Sequence, residues 1–155
     1  MAAENAEWAD KSRIHMKAIT LYRIASVFFL LFAAGHTFGF LSLKPPSPEA
    51  RAVFDGMNNV HFHVSGSSFS YGGFYRGFGL SITVQLLFSA FLAWHLGTLA
   101  RSNPQAIGLL GWVFMIVQVA GLVLSWKYFS AGPAMLSAIV AVCLGWVAWL
   151  VMGKG

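Results

Sequence analysis

His61 and His63 lie two residues apart in a segment where apolar and polar residues alternate. In an extended chain both imidazoles point to the same face, where they would offer two nitrogen ligands to Zn or Cu. Asp55 or His36 would have to supply a third ligand. Two histidines in a polar connection are also common as ordinary surface residues, so a metal site and an exposed pair both stay open.

Arg76 and Tyr71 lie where this polar connection meets a long apolar stretch. A guanidinium group binds carboxylate or phosphate through two parallel hydrogen bonds, so Arg76 is suited to clamp an anionic headgroup or substrate. Arg76 could instead extend to a membrane surface, or pair with Asp55 or Glu49. No Asp or Glu follows Asp55, so the long apolar stretches hold no carboxylate.

The composition decides which solvent surrounds these residues. Of the 155 residues, 57% are hydrophobic and only 10% are charged, against about 25% charged in a soluble domain. Such a chain cannot cover a surface that faces water, so we predict an integral membrane protein. The net charge of +5 comes from Lys and Arg scattered at the ends of apolar stretches, which argues against a nucleic-acid partner.

Four apolar stretches are long enough to cross a bilayer as helices, which takes about 20 residues. They are residues 21–43, 74–98, 106–126 and 133–152. We predict the all-α class, as an integral membrane four-helix bundle with a long outer loop, residues 44–73, between helices 1 and 2. Residues 1–20 form a cytoplasmic N-terminal segment, and residues 21–155 form the membrane domain.

The distribution of positive charges predicts the orientation of the chain, because Lys and Arg favour the cytoplasmic side of a membrane. The inner side holds Lys11, Arg13, Lys17, Arg23, Arg101 and Lys154, and the outer side holds Lys44, Arg51, Arg76 and Lys127. We therefore predict a multi-pass protein of the cytoplasmic (inner) membrane with both termini in the cytoplasm.

Three polar side chains fall in the outer half of the predicted bundle. His36, Gln118 and Gln85 lie roughly 10, 12 and 16 Å below the outer surface at 1.5 Å per residue. Unpaired polar groups are costly in hydrocarbon, so we expect all three to face inward. A ligand site and a hydrogen bond between helices are equally open for His36, whereas the hydrogen bond is favoured for the glutamines.

His36 and His95 raise the question of a haem with two axial histidines. His95 lies roughly 31 Å from the outer surface, some 20 Å deeper than His36. Both ligands must reach one iron, so this difference in depth disfavours such a haem. We interpret His95 as a histidine at the inner membrane surface.

The outer loop contains signals for local structure. Residues 47–49 read Ser-Pro-Glu, which is typical of a helix start with a capping hydroxyl, and Gly56 predicts its end. The apolar side of this short amphipathic helix consists of Val53, Phe54 and Met57. Alternation over residues 58–65 predicts an extended segment, and residues 66–73 predict a polar loop.

Pairs of small residues predict where helices touch. These pairs are Gly35 with Gly39, Gly73 with Gly77, and Ala141 with Gly145. The same faces could hold a homo- or hetero-oligomer together. Glycine is also simply common in transmembrane helices, so this alternative stays open.

Two short motifs carry a resemblance to a known family. They are Gly-His-Thr-Phe-Gly at residues 35–39 and Ser-Tyr-Gly-Gly-Phe-Tyr-Arg-Gly-Phe-Gly at residues 70–79. With these motifs the chain resembles a family of small bacterial integral membrane proteins, known mainly as uncharacterised four-helix proteins. A looser similarity to DoxX-like proteins rests on size and topology. The resemblance implies a four-helix membrane fold and no activity, cofactor or catalytic residue.

Three functions fit these observations. The first is binding of a lipophilic small molecule or lipid in an outer pocket, with polar contacts from His36, His61, His63, Tyr71, Arg76, Gln85 and Gln118. The second is a small membrane enzyme in which His36 or His61 is the general acid–base and Arg76 or Tyr71 stabilises charge. The third is a structural subunit of a membrane complex. No pattern typical of nucleotide hydrolysis or of a common hydrolase is present.

Overall fold

The structure of the protein, a computed structural model, describes residues 1–152. Its elements in chain order are α1 (Ala2–Leu41), α2 (Pro48–Asn59), β1 (His61–Val64), β2 (Ser67–Ser70), α3 (Tyr71–Ser102), α4 (Pro104–Tyr128) and α5 (Ala131–Met152). The predicted all-α class is confirmed. Lys154 and the side chains of Lys11 and Arg101, which entered the argument on orientation, lie outside the described part of the chain.

Within residues 1–152, four helices are long and apolar enough to cross a membrane. The stretches that meet this criterion are Glu4–Leu41, Tyr71–Ala100, Leu109–Tyr128 and Ala131–Met152. They contain or overlap the four spans predicted from the sequence. α1 has 40 residues and is therefore about 60 Å long, roughly twice the thickness of a hydrocarbon core. The polar N-terminal segment thus continues the first apolar stretch as one helix.

Between α1 and α3 the chain forms a capped helix, as the sequence predicts. Ser47 has an extended backbone and its side chain accepts a hydrogen bond from the backbone N–H of Ala50, at 3.2 Å. The predicted end at Gly56 is wrong, because the helix continues to Asn59. Gly56 instead supplies the carbonyl that accepts from the N–H of Val60, at 2.8 Å.

The segment after α2 is a hairpin. β1 pairs with β2 in antiparallel register, with His61 opposite Ser70 and Val64 opposite Ser67. Ser65 and Gly66 both have positive φ angles, 49° and 81°, as a two-residue type I′ turn requires. The predicted extended segment is confirmed for residues 61–64. The predicted loop at residues 66–73 is wrong, because it holds β2 and the first turn of α3.

The chain divides into two compact units, which we call unit 1 and unit 2. Unit 1 combines Met1–Phe32 with the described residues from Leu86 onward, and unit 2 is Ala33–Gln85. In unit 1 the fully buried side chains include Tyr22, Phe29, Leu96 and Leu144. The rings of Phe29 and Phe114 stack with centroids 5.4 Å apart, and Ser26 donates to the carbonyl of Ala90 at 2.8 Å. Unit 2 contains the loop between the first two spans.

The glycine pairs differ in what they contact. A Cβ added to Gly35, Gly39 or Gly77 would have no heavy atom within 4 Å. The prediction that Gly35 and Gly39 mark a contact between helices is therefore wrong for the described chain. Gly73 comes close only to the hydroxyl of Ser70, at 3.1 Å. In α5 Ala141 is buried, and an added Cβ on Gly145 would lie 3.4 Å from Met115.

Candidate functional site

In unit 2, hydrogen bonds join the last turns of α1 to the first half of α3. The Nε2 of His36 lies 3.0 Å from the carbonyl oxygen of Gly79, so His36 must carry a proton there and donate it. Thr37 donates to the carbonyl of Ala33 at 2.8 Å. Thr83 is then the donor in the 2.8 Å bond between the two threonine hydroxyls. For His36 this geometry favours the hydrogen bond between helices over a ligand site.

Phe40 of α1 packs directly against the backbone of α3 at Gly79. A Cβ added to Gly79 would overlap the Phe40 ring, so glycine is needed at that position for the ring to pack. The ring also stacks on His36, with centroids 5.9 Å apart, and contacts the ring of Tyr75, at 5.4 Å. Phe40 and Tyr75 are thus held in place by both helices.

The rings of Phe40 and Tyr75 line a pocket of about 270 Å³. The end of α1, α2 and the start of α3 form this pocket. Its lining consists of Phe40, Leu41, Leu43, Phe54, Met57, Asn58, Gly72, Tyr75 and Arg76. Most of this lining is apolar. Phe54 and Met57 reach it because they share one side of α2, as their spacing predicts.

The polar end of the pocket is formed by Arg76 and Asn58. The Nη2 of Arg76 donates to the side-chain oxygen of Asn58 at 3.2 Å. Gly72 leaves room for the Asn58 side chain, because a Cβ added to Gly72 would overlap the Asn58 carboxamide and lie 3.3 Å from the Asn58 backbone nitrogen. A guanidinium group has five N–H donors, so further donors of this exposed side chain can reach a ligand. Among the described residues, no ion pair of Arg76 with Asp55 or Glu49 forms.

His61 and His63 lie on the hairpin and outside the pocket. Both are exposed, and the Nδ1 of His61 donates to the carbonyl of Asn59 at 2.9 Å. Within residues 1–152 as described, no group of three His, Cys, Asp or Glu side chains is close enough to hold a metal ion. The structure therefore brings neither Asp55 nor His36 to this pair as a third ligand.

Tyr71 belongs to an aromatic cluster at the foot of the hairpin. Its ring lies 5.0 Å from that of Phe62, which also contacts the rings of Phe69 and Phe74 at 6.0 and 5.6 Å. Phe62 projects to the opposite face of β1 from the two histidines. Tyr71 therefore fixes the hairpin against α3 and does not line the pocket.

The remaining predicted residues are dispersed. Gln85 is exposed at the end of unit 2, so the prediction that it faces inward is wrong. Gln118 is buried within unit 1. His95, also in unit 1, is exposed and stacks on Phe91 with ring centroids 5.9 Å apart. Of the seven predicted ligand-binding residues, Arg76 alone lines the pocket. Neither histidine predicted as a general acid–base does so.

Sequence reasoning missed Asn58, Gly72, Phe40 and Tyr75. The spacing of Phe54 and Met57 indicates the apolar wall, but the pattern that predicts a helix end at Gly56 places Asn58 in the extended segment. The sequence likewise places Gly72 in a loop.

Comparison of the chain with models of known protein families, with curated proteins and with solved structures gave no match.

Proposed function

We propose that this protein is an integral membrane protein that binds a lipophilic small molecule or lipid in the pocket of unit 2. The observation that carries the proposal is the pairing of apolar walls with one cationic end, Arg76, in a single cavity. Ligand pockets commonly combine an apolar lining with few polar groups that fix orientation. The binding partner should therefore carry an anionic or hydrogen-bond-accepting group on an apolar body.

The expected energetics follow from the lining. Each methylene that leaves water for the apolar wall contributes about 0.8 kcal/mol, and a hydrogen bond to a charged group contributes about 1.5–3 kcal/mol. A volume of about 270 Å³ is near the lower end of the range for small-molecule sites. A short chain or one small ring system suits this volume better than a whole phospholipid.

The exposed apolar side chains support placement in a membrane. Leu109, Trp126, Val142 and Phe91 are each more than 60% exposed, which costs little in lipid and much in water. We propose that the protein lies in the bacterial inner membrane, which its resemblance to small bacterial membrane proteins implies. The charge distribution favours an orientation with both termini in the cytoplasm. The pocket of unit 2 then opens on the outer side, as does the hairpin.

Photo-crosslinking with a fatty acid tests the proposal. The purified chain in nanodiscs is exposed to dodecanoic acid that carries a diazirine, and crosslinked peptides are identified by mass spectrometry. We expect crosslinks at residues 40–43, 54–58 and 72–76, which excess dodecanoic acid suppresses. Arg76→Gln should weaken this competition about tenfold or more, because it removes a charge-assisted bond. Arg51→Gln, which removes an exposed charge of α2 outside the pocket, is the matched control.

A second pair of variants tests the apolar wall. Phe54→Asp places a carboxylate in the pocket and should abolish the crosslinks, whereas Val53→Asp changes a neighbour that is 61% exposed and should leave them. Crosslinks spread evenly over the lipid-facing helices, or equal effects of Arg76→Gln and Arg51→Gln, would contradict a pocket in unit 2.

Gly72→Ala tests the contact that forms the polar end. The added methyl displaces the Asn58 side chain and removes its bond to Arg76, so we expect weaker competition by dodecanoic acid. Gly77→Ala adds the same methyl where no heavy atom lies within 4 Å and should have no effect. Equal behaviour of the two variants would show that Asn58 does not position Arg76.

A further inference from the structure

A second cavity lies in unit 1, between the N-terminal half of α1 and the C-terminal half of α5. It is a groove of about 380 Å³ whose lining includes Arg13, Met16, Lys17, Leu21, Trp146 and Leu150. On α1 these positions follow a spacing of three and four residues, so they share one face of the helix. On α5 Trp146 and Leu150 are one turn apart and line the opposite wall.

The groove is cationic at one end and apolar along its length. Arg13 and Lys17 are both exposed, and residues four apart on a helix are direct neighbours. Like charges at this spacing repel each other, so an anion placed between them relieves the repulsion. Leu21 lies one further turn along α1, roughly 6 Å from Lys17. A molecule that fills the groove must therefore carry a negative charge close to an apolar chain.

The apolar wall is itself unusually open. Met16 is 60% exposed and Trp146 is 56% exposed, and both line the same groove as Arg13 and Lys17. Tryptophan is enriched where headgroups meet acyl chains, because one end of its ring system is apolar and the other donates a hydrogen bond. The groove thus combines the residues that recognise a headgroup with those that pack against a chain.

We propose that this groove is a docking site for one anionic phospholipid. Its phosphate lies between Arg13 and Lys17, and one acyl chain lies along Leu21, Trp146 and Leu150. The charge complementarity selects an anionic over a zwitterionic lipid, since basic surfaces between membrane helices are suited to anionic headgroups. In the orientation proposed above, the groove opens to the cytoplasmic leaflet, which carries anionic lipids. The proposal is independent of the pocket in unit 2.

Native mass spectrometry of the full chain tests this proposal. The protein is taken from micelles that contain equal amounts of phosphatidylglycerol and phosphatidylcholine with the same acyl chains. We expect one phosphatidylglycerol to be retained in preference to phosphatidylcholine under collisional activation. Equal retention of the two lipids by the unchanged chain would overturn the proposal without any variant.

Variants then locate the lipid. Arg13→Gln combined with Lys17→Gln should reduce the preference for phosphatidylglycerol by more than tenfold, at about fivefold for each charge removed near a membrane surface. Lys44→Gln combined with Arg51→Gln removes the same charge from unit 2 and should leave the preference unchanged. Loss of preference in both double variants would overturn the site, because it would show general attraction to a basic protein.

Two further measurements separate the contribution of the phosphate from that of the acyl chain. Inorganic phosphate at millimolar concentration should not displace the lipid, because it lacks the acyl chain, and displacement would overturn docking of a whole lipid. Trp146→Ala should shorten retention of phosphatidylglycerol and of phosphatidylcholine alike, whereas exposed Trp149→Ala in the same helix should not. Equal effects of the two tryptophan variants would contradict an acyl chain beside Trp146.

Discussion

At the scale of single residues, Tyr22 and Arg76 show two opposite environments for a polar side chain. Arg76 is exposed, donates to Asn58 and keeps further donors for a ligand. Tyr22 has 0% exposure, and its hydroxyl has no hydrogen-bond partner among the described residues. A buried polar group without a partner costs about 1–3 kcal/mol. Arg76 can therefore contribute to binding, whereas the Tyr22 hydroxyl weakens the core that it occupies.

Gly111 is the residue that accommodates this hydroxyl. A Cβ added to Gly111 would lie 3.0 Å from the Tyr22 oxygen and 3.3 Å from the Cβ of Ala148. Gly111→Ala should lower the free energy of unfolding by about 1–3 kcal/mol, as overpacking does. Tyr22→Phe alone should leave stability unchanged or raise it, and in the double variant it should restore part of the loss. Thermal unfolding of the purified protein in detergent measures all three.

Gly121→Ala in the same helix is the control for Gly111→Ala. A Cβ at Gly121 has no heavy atom within 4 Å, so this variant should be neutral or stabilising, since alanine favours a helix more than glycine does. If Gly111→Ala behaves like Gly121→Ala, the Tyr22 hydroxyl does not pack closely against Gly111. If Tyr22→Phe destabilises the protein by more than about 1 kcal/mol, the hydroxyl has a hydrogen-bond partner in solution.

These two residues also show how far sequence reasoning reaches at this scale. Arg76 attracts attention because a guanidinium group at the start of an apolar stretch is suited to bind an anionic group. Tyr22 does not attract attention, because a tyrosine at either end of an apolar stretch is typical of a membrane surface. Its complete burial results from contacts with residues of distant helices, such as Gly97 and Gly111. No local pattern records those contacts.

At the scale of elements, α2 supplies Phe54, Met57 and Asn58 to the lining of the pocket. Its start could be predicted because Ser47, Pro48 and Glu49 each have a local preference for their position. Its end could not, because Gly56 remains helical and the chain leaves the helix only at Val60. The second strand of the hairpin could not be predicted from its own sequence either. Ser67–Ser70 is polar and gains its strand structure from pairing with β1.

The cap of α2 allows a test with two readouts. Ser47→Ala removes the acceptor of the Ala50 N–H and should destabilise the helix by about 1 kcal/mol, seen as roughly fivefold faster amide hydrogen exchange in α2. The same side chain bonds to Glu49 and is the main cause that lowers the pKa of that exposed carboxyl. In Ser47→Ala we therefore expect the pKa of Glu49 to rise toward its ordinary value, as measured by NMR titration.

The sign of the pH dependence follows from this lowered pKa. The contribution of Glu49 is present above the carboxyl pKa of the unfolded chain, about 4.3, and is lost as pH falls through the lower pKa of the folded state. Protection of α2 should therefore decrease on acidification in the native chain and change less in Ser47→Ala. Ser42→Ala, outside the helix, is the control. An unchanged Glu49 titration in Ser47→Ala would show that the serine hydroxyl does not bind the carboxylate.

At the scale of the whole molecule, the number of long helices follows from the number of long apolar stretches, whereas α1 extends well beyond its apolar stretch. The sequence predicts four spans because each stretch has about the length that a bilayer requires. The part of the chain that the structure describes has four helices that meet this criterion. Division into two compact units was not predicted. It depends on which side chains interlock, as at Phe40 and Gly79 in unit 2 or at Phe29 and Phe114 in unit 1.

The orientation in the membrane determines which side of the cell has access to each site, and labelling of single cysteines tests it. Cys143, the one cysteine of the chain, is buried and can be replaced by alanine. Single cysteines are then placed at Ser68 in β2, at Ser12 in α1, at Ser102 at the end of α3 and at Ser130 between α4 and α5. All four serines are exposed, so accessibility reports on the side of the membrane alone.

With cytoplasmic termini, a membrane-impermeant maleimide should label Ser68→Cys and Ser130→Cys in intact spheroplasts, and the other two variants only after lysis. The reverse pattern would place the unit 2 pocket in the cytoplasm, where its ligand would have to be an intracellular amphiphile.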